Sequence, residues 1–331
     1  MNATAESRPA GIAKVHRVVI TGATGQLGRH VLNEIAAWPD TQVMALVRTN
    51  SKLAGAPANV RIEAPPFFDA SALTPLLERF QPTAILHCAA TGMLQPRPGW
   101  PELIRFNVNF SAQLCELAAR VPGCHFVHVS SGLAYRDQGR PLVEDDPLGS
   151  EHPYAATKIA AEALVRAVAA ESHVPLTIVR PFSFSGAGDQ GSRLFPSLLR
   201  AAEQQRPFDL SPGDQIRDHS AVNDIAHGIA LAVARRHELP PGTQVFNLGS
   251  GSTAALRNVI EGVVAELGLQ AKLNFAARSH NPFEPKYLVA DTARARELLG
   301  WRRQTNFAHA VWELAQESFP GLHLKQPRRS P

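Results

Sequence analysis

Short apolar runs recur along the chain at His16–Ile20, Gln42–Val47, Thr83–His87, His125–Val129, Leu176–Val179 and Gln244–Leu248. Each has the length and composition of a buried strand. Longer stretches of helical character separate most of them, among them Pro101 to Arg120 and Pro153 to Ala170. This alternation predicts an α/β fold, a doubly wound parallel sheet covered by helices on both faces. A stretch rich in proline and polar residues, Gly186 to Asp218, interrupts the pattern before the last strand. It is expected to leave the sheet and begin a smaller lobe. Helices around Ala254–Leu267 and Thr292–Leu299 would complete that lobe.

Between the first strand and the first helix lies Thr21-Gly-Ala-Thr-Gly-Gln-Leu-Gly28. Glycines at 22, 25 and 28 allow a tight turn, a close approach of backbone N–H groups to a pyrophosphate, and close packing of helix on strand. Turns use glycine for many reasons. The position between a strand and a helix near the chain start is what favours a dinucleotide site. The expected organisation is therefore a loose tail over 1–15, a dinucleotide-binding domain from 16–182 and 216–250, and a discontinuous substrate lobe from 183–215 and 251–318. A second tail follows over 319–331.

Composition narrows the class further. The 331 residues are 44% hydrophobic and 19% charged, as expected of a globular protein with a substantial core. No run approaches the ~18 apolar residues of a membrane span. The first 15 residues hold Glu6, Arg8 and Pro9 and lack the apolar centre of a signal peptide. Cys88, Cys115 and Cys124 are odd in number and lack metal spacing, which fits thiols in a reducing cytoplasm. The net charge of +4 is mild, and no basic stripe for nucleic acid is present.

Tyr154 and Lys158 stand four residues apart and share one face of a predicted helix. A lysine beside a phenol favours the phenolate, which makes tyrosine a usable proton donor and acceptor. The spacing alone is common on helix surfaces. Tyr135 and Tyr287 meet Gly139 and Asp291 at the same offset, so only Tyr154 has the lysine. The strand His125–Val129 runs into Ser130-Ser-Gly-Leu-Ala-Tyr135, placing hydroxyls where open α/β sheets bind ligands. Arg48 lies twenty residues beyond Gly28, with Lys52 and no acid nearby. An arginine there suits the 2′-phosphate of NADP, whereas a carboxylate would suit NAD; a solvated loop charge is the plain alternative.

Taken in order, the glycine turn, the serine pair and the Tyr154–Lys158 pair resemble the extended short-chain dehydrogenase/reductase family. Further similarity lies in Leu86-His-Cys-Ala-Ala90, Asn107-Val-Asn-Phe-Ser111 and Arg180-Pro-Phe-Ser183. Arg217-Asp-His-Ser-Ala-Val-Asn-Asp224, Phe246-Asn-Leu-Gly-Ser250, Ala277-Arg278 and Leu298-Leu-Gly-Trp301 resemble its sugar-nucleotide-modifying branch. The resemblance implies a catalytic set of Ser131, Tyr154 and Lys158 with Asn107. It implies cofactor contacts at Gly22, Thr24, Gly25, Gln26, Leu27, Gly28, Arg48, Asp69, Ala89, Ala90, Pro181, Phe182 and Ser183, besides Tyr154 and Lys158. Substrate contacts would fall on Ser131, Ser183, Arg193, Arg217 and Arg278, the arginines clamping a nucleotide diphosphate. No metal is implied. A homodimer pairing the helices 101–120 and 153–170 is the family arrangement.

Dehydratases of this branch carry carboxylates just after the catalytic hydroxyl, where this chain has Gly132 and Leu133. That leaves two reactions: NADP(H)-dependent reduction of a 4-keto-sugar nucleotide, and 4-epimerisation with retained NAD. A reductase for a non-nucleotide ketone would have little use for Arg217 and Arg278 together. A cofactor-sensing regulator would not need the proton relay.

Overall fold

The computed structural model of the chain describes residues 16–330, apart from 50, 52, 54 and 95. The expected N-terminal tail and Lys52 lie outside the described residues. The chain begins β1 (His16–Thr21), α1 (Gln26–Ala36), β2 (Thr41–Leu46), β3 (Val60–Glu63), α2 (Ala70–Phe80) and β4 (Ala84–His87). There follow α3 (Trp100–Leu103), a π-helical turn (Ile104–Asn109), α4 (Phe110–Ala119), β5 (His125–Val129), α5 (Pro153–Ser172) and β6 (Leu176–Pro181). Next come β7 (Ser183–Ser185), α6 (Leu194–Glu203), β8 (Pro207–Asp209), β9 (Ile216–Arg217), β10 (His219–Ala221), α7 (Val222–Ala234) and β11 (Gln244–Leu248). The chain ends with α8 (Leu256–Leu267), β12 (Lys272–Asn274), β13 (Tyr287–Leu288), α9 (Ala293–Leu299) and α10 (Phe307–Ser318).

Seven parallel strands form the main sheet in the order β11-β6-β5-β4-β1-β2-β3. The order reverses between β1 and β4, which opens a crevice at the carboxyl ends of those strands. Side chains alternate across the sheet with period two. Val18 and Ile20 join a core with Val31 and Ile35 of α1 and Ile225 and Ile229 of α7. Val19 faces the opposite side, with Leu114 of α4 and Val165 of α5. The edge strand β3 has no counterpart among the apolar runs. Its Val-Arg-Ile-Glu carries two charges, and an edge strand needs only one covered face.

A third core joins α6, α8 and α10 through Leu198, Leu199, Ile260, Val263, Val311 and Leu314. Ala295, Leu299 and Trp301 leave this lobe and join the core under α7. Trp301 Nε1 donates to the Asp224 carbonyl at 2.8 Å. Gly228 makes room for it, because a Cβ there would lie 3.0 Å from the indole and 2.5 Å from Leu248. The segment 319–330 is also laid against the lobe. Phe319 is buried, the Lys325 N–H donates to Leu267 O at 2.8 Å, and the Asn306 N–H donates to Arg329 O at 2.7 Å. Apolar side chains and paired backbone groups outweigh the polar composition of that end. Among the described residues no helix is long and apolar enough to cross a membrane.

Candidate active site

The glycine turn divides its work among its three glycines. Gly22 sits at φ +76°, and a Cβ on it would come 2.7 Å from Ala89 N at the end of β4. Left-handed backbone costs an L-residue about 1–2 kcal/mol before any clash. At Gly28 a Cβ would meet Gly22 O at 2.1 Å, so this glycine brings α1 onto the turn. Gly25 is the N-cap of α1 and provides no side-chain hydrogen bond. The first N–H groups of α1 therefore lack a side-chain cap where the helix dipole is positive, which fits a pyrophosphate.

That helix end opens on a cavity of about 780 Å³ between the carboxyl ends of the central strands and the lobe. The cavity is lined by Gly22, Thr24, Gly25, Gln26, Leu27 and Gly28 on one wall and by Ala90, Ser131 and Tyr154 at its centre. Pro181, Phe182 and Ser183 lie beside them, with Arg193 and Arg217 on the lobe wall. The structure thus brings together most of the residues singled out from the sequence. Six of them lie off the cavity surface: Asn107, Lys158, Arg48, Asp69, Ala89 and Arg278.

Ser131 follows the end of β5 and is only 8% exposed, its Oγ accepting from the Leu133 N–H at 3.2 Å. Its neighbour Ser130 also lines the cavity, and the Ser130 Oγ is buried without a hydrogen-bond partner. Tyr154 is presented by the first turn of α5, which begins at Pro153. Proline suits that position because its missing N–H is not needed there. Lys158 lies one turn on, 1% exposed beneath the cavity surface.

The electrostatics of this pair differ from the sequence expectation. Burial pushes the Tyr154 phenol up to about 12, and the opposing cation is Arg193 rather than Lys158. Burial also pushes Lys158 down to about 8, against the pull of Glu162 and Cys88. Desolvation is the largest cause at each group, and neither is a cause of the other's shift. Behind Lys158, burial holds His87 down at about 3 and His128 well below its usual value, so both rings are neutral.

Asn107, which the resemblance implies to be structural or catalytic, is tied into the surrounding structure. It is fully buried in the π-helical turn. Its Nδ2 donates to Thr91 O and to Thr157 Oγ1, and its Oδ1 accepts from the Thr91 N–H, all at 2.9 Å. It positions the strand-end loop and α5, and does not line this cavity. Gly132 has no room for the acid that elimination would need, since a Cβ there would lie 2.8 Å from the Phe182 ring.

The arginines separate clearly. Arg217 is largely buried at the cavity wall, its Nη2 2.8 Å from Glu284 Oε1 and its Nε without a hydrogen-bond partner. Arg193 donates to Gln26 Oε1 at 2.9 Å and to Phe184 O at 2.8 Å, and pairs with Asp189 at 3.2 Å. Arg278 is exposed on the lobe and lies outside the cavity. Arg48 is exposed just past β2. The register sets Glu63 opposite Leu46, and the Glu63 carboxylate pairs with Arg61, so an acid does reach this corner from β3. Asp69 caps α2, accepting from the Ala72 N–H at 3.0 Å and Ser71 Oγ at 2.6 Å. Both bonds fall on Oδ1.

Three features escaped the sequence reading. Glu284 and His219 line the cavity beside Arg217, and an apolar arch runs through Met93, Leu94, Pro96 and Pro98. His219 lay inside the quoted Arg217–Asp224 motif; the arch and Glu284 carry no local signal.

Comparison with known proteins agrees with this architecture. A sequence model of the NAD dependent epimerase/dehydratase family matches residues 18–249. A dTDP-6-deoxy-L-talose 4-dehydrogenase (NAD(P)(+)) of Kitasatospora kifunensis is 30% identical over 322 residues, covering 92% of this chain and 96% of that protein. A UDP-glucose 4-epimerase of Azospirillum brasilense is 28% identical over 86% of each chain. The solved structure of MoeE5 in complex with UDP-glucose and NAD superposes with a TM-score of 0.80 at 26% identity, covering 93% of this chain and all of that one.

Proposed function

Since the chain belongs to the NAD-dependent epimerase/dehydratase family, we propose that it carries out oxidoreduction at carbon 4 of a nucleoside-diphosphate sugar, reducing a 4-keto group. The observation that carries this reading is the shared cavity: an uncapped helix N-terminus, Ser131 with Tyr154, and Arg217 line one continuous space. A dinucleotide fits the first, a sugar the second and a diphosphate the third. When bound, the nicotinamide supplies the hydride to the carbonyl carbon. Tyr154 delivers the proton to the carbonyl oxygen, and its raised pKa keeps that proton in place at neutral pH. Ser131 orients the same oxygen, and solvent returns the proton to Tyr154. The 4-dehydrogenase relative supports reduction, being named for the reverse direction of such a step.

Arg48 supports NADP(H) as the preferred cofactor, since among the described residues no carboxylate pairs with its guanidinium at the end of β2. α4 and α5 pack together, and Trp100, Ile104 and Leu164 of this region stay 43–48% exposed, which supports a homodimer across these helices.

One observation favours 4-epimerisation as the second reading. The Gln26 amide donates to Gly186 O at 3.1 Å, and His30 Nε2 lies 2.9 Å from Ala187 O. With Arg193 these contacts fasten the segment after β7 over the glycine turn, as suits a retained cofactor. The test is to incubate the protein with nucleotide sugars and 4-keto-sugar nucleotides, with and without NADPH. Stoichiometric NADPH consumption supports reduction, and interconversion of two sugars without added cofactor supports epimerisation. Failure to act on any nucleotide sugar overturns both.

A further inference from the structure

Resting on the nucleotide-sugar reading, we infer that the substrate is a 6-deoxy sugar, whose C5 methyl packs against the apolar arch. The arch starts at Thr91, whose backbone is held on both sides by Asn107. Asn107 in turn holds Thr157, and the Thr157 hydroxyl donates to Tyr154 O at 2.7 Å. The near end of the arch is thus tied to the turn of α5 that presents the phenol. At its far end, a Cβ on Gly191 would lie 3.6 Å from Leu94, so the arch reaches the segment after β7 across the cavity. Met93, Leu94, Pro96 and Pro98 line the space beneath, and Leu133 and Leu194 extend the same wall. None of these side chains offers an N–H or O–H donor.

The cations around this wall are engaged elsewhere. The Arg97 guanidinium lies over the Trp100 ring at 5.4 Å and donates to Pro98 O at 3.3 Å. Arg193 is bound to Gln26, Phe184 and Asp189, and Arg217 pairs with Glu284 and is reserved in the proposed function for the diphosphate. We place the sugar with Ser131 and Tyr154 on the C4 oxygen, so that a substituent on one of the two carbons flanking C4 meets the arch. Of those two carbons, only C5 carries a carbon substituent. A methyl there fits an apolar wall. A C6 hydroxyl would lose its water partners on binding, and a C6 carboxylate would bury an uncompensated charge.

The test uses matched pairs of dTDP and UDP sugars, 6-deoxygalactose against galactose, oxidised by NAD(P)⁺ and followed as reduced nicotinamide or as C4 epimer. UDP-glucuronate is the third probe. We expect kcat/KM to be about 10–100-fold higher for the 6-deoxy member of each pair, the scale on which an apolar pocket discriminates against an added hydroxyl. UDP-glucuronate should not turn over. Equal or reversed rates within the pairs, or turnover of the glucuronate, overturn the inference while leaving the proposed function standing. No turnover of any probe removes the nucleotide-sugar reading and this inference with it. Met93 and Leu94 are 41% and 44% exposed, so Met93→Gln and Leu94→Gln should fold. Each should narrow the ratio several-fold, and an unchanged ratio in both would show that the arch does not set it.

Discussion

Asn107 and Thr157 are fifty residues apart in sequence and joined by a 2.9 Å hydrogen bond between their side chains. Thr157 then donates to the Tyr154 carbonyl at 2.7 Å. Through this pair the π-helical turn before α4 sets the register of the α5 turn that presents the phenol to the cavity. Insertion of an extra residue into a helical turn is a recurrent device at functional sites, because it redirects one side chain without breaking the helix.

Asn107→Ala should therefore act on position more than on chemistry. It leaves both polar groups of Thr91 and the Thr157 hydroxyl short of a partner, at a cost of about 2–4 kcal/mol. Thermal unfolding should shift down by several degrees, and kcat should fall while KM for the nucleotide sugar changes little. An unchanged melting temperature would show that the hydrogen bonds are replaced by water.

Tyr154→Phe removes one phenolic proton and little packing. It should abolish turnover and leave cofactor binding, read by titration, near its starting affinity. Ser131→Ala should lower kcat by about 10²-fold, the scale of a lost positioned donor. Substantial turnover by Tyr154→Phe would transfer the proton step to another group.

Lys158 gives the pH dependence. Below pH about 8 both the folded and the unfolded chain hold its proton, and the folded state carries the full cost of burying the charge. Between about 8 and 10.5 the folded chain has released the proton and the unfolded chain has not, so this contribution to stability rises with pH. Lys158→Met should stabilise the cofactor-free protein at neutral pH, by up to about 3 kcal/mol, and lose that advantage as pH rises through the window. In the native enzyme kcat/KM for reduction should decline above pH about 8 as the ammonium is lost. Thermal melts and initial rates across pH 6–10 (about that span suffices for the limb) check both.

Gly132 and Phe182 form a steric pair. Gly132→Ala would set a methyl 2.8 Å from the Phe182 ring, so the ring must move off the cavity wall. The expected cost is about 1–3 kcal/mol with a matching loss of activity. Phe182→Leu should restore part of both in the double variant. Purely additive effects would show that the two side chains do not share the space.

Gln26→Ala cuts the amide contacts to Gly186 and Ala187 and the acceptor of Arg193. Release of bound cofactor, followed by stopped-flow fluorescence, should become several-fold faster. In a reductase limited by cofactor release kcat would then rise, whereas an epimerase would lose retained cofactor and slow down. An unaltered release rate would show that the segment after β7 does not hold the cofactor in place.

Local pattern was enough to specify the parallel α/β sheet and the glycine turn, and the family resemblance set Ser131 beside Tyr154. Strands buried on both faces read as continuous apolar runs, and Gly22 and Gly28 have steric needs that any sequence reader can anticipate. Tertiary structure alone decided the rest. Arg193 and Arg217 look alike in sequence to Arg278, yet of the three only the first two reach the cavity, and Arg278 is exposed. Asn107 carries the right chemistry for contact with a ligand, and the Thr91–Thr157 link uses it, while Asp69 gives Oδ1 to the cap of α2. The raised phenol of Tyr154 is also invisible locally. Four residues of spacing promise attraction to Lys158, whereas burial of the phenol by the assembled fold pushes its pKa up, and no periodicity records that burial.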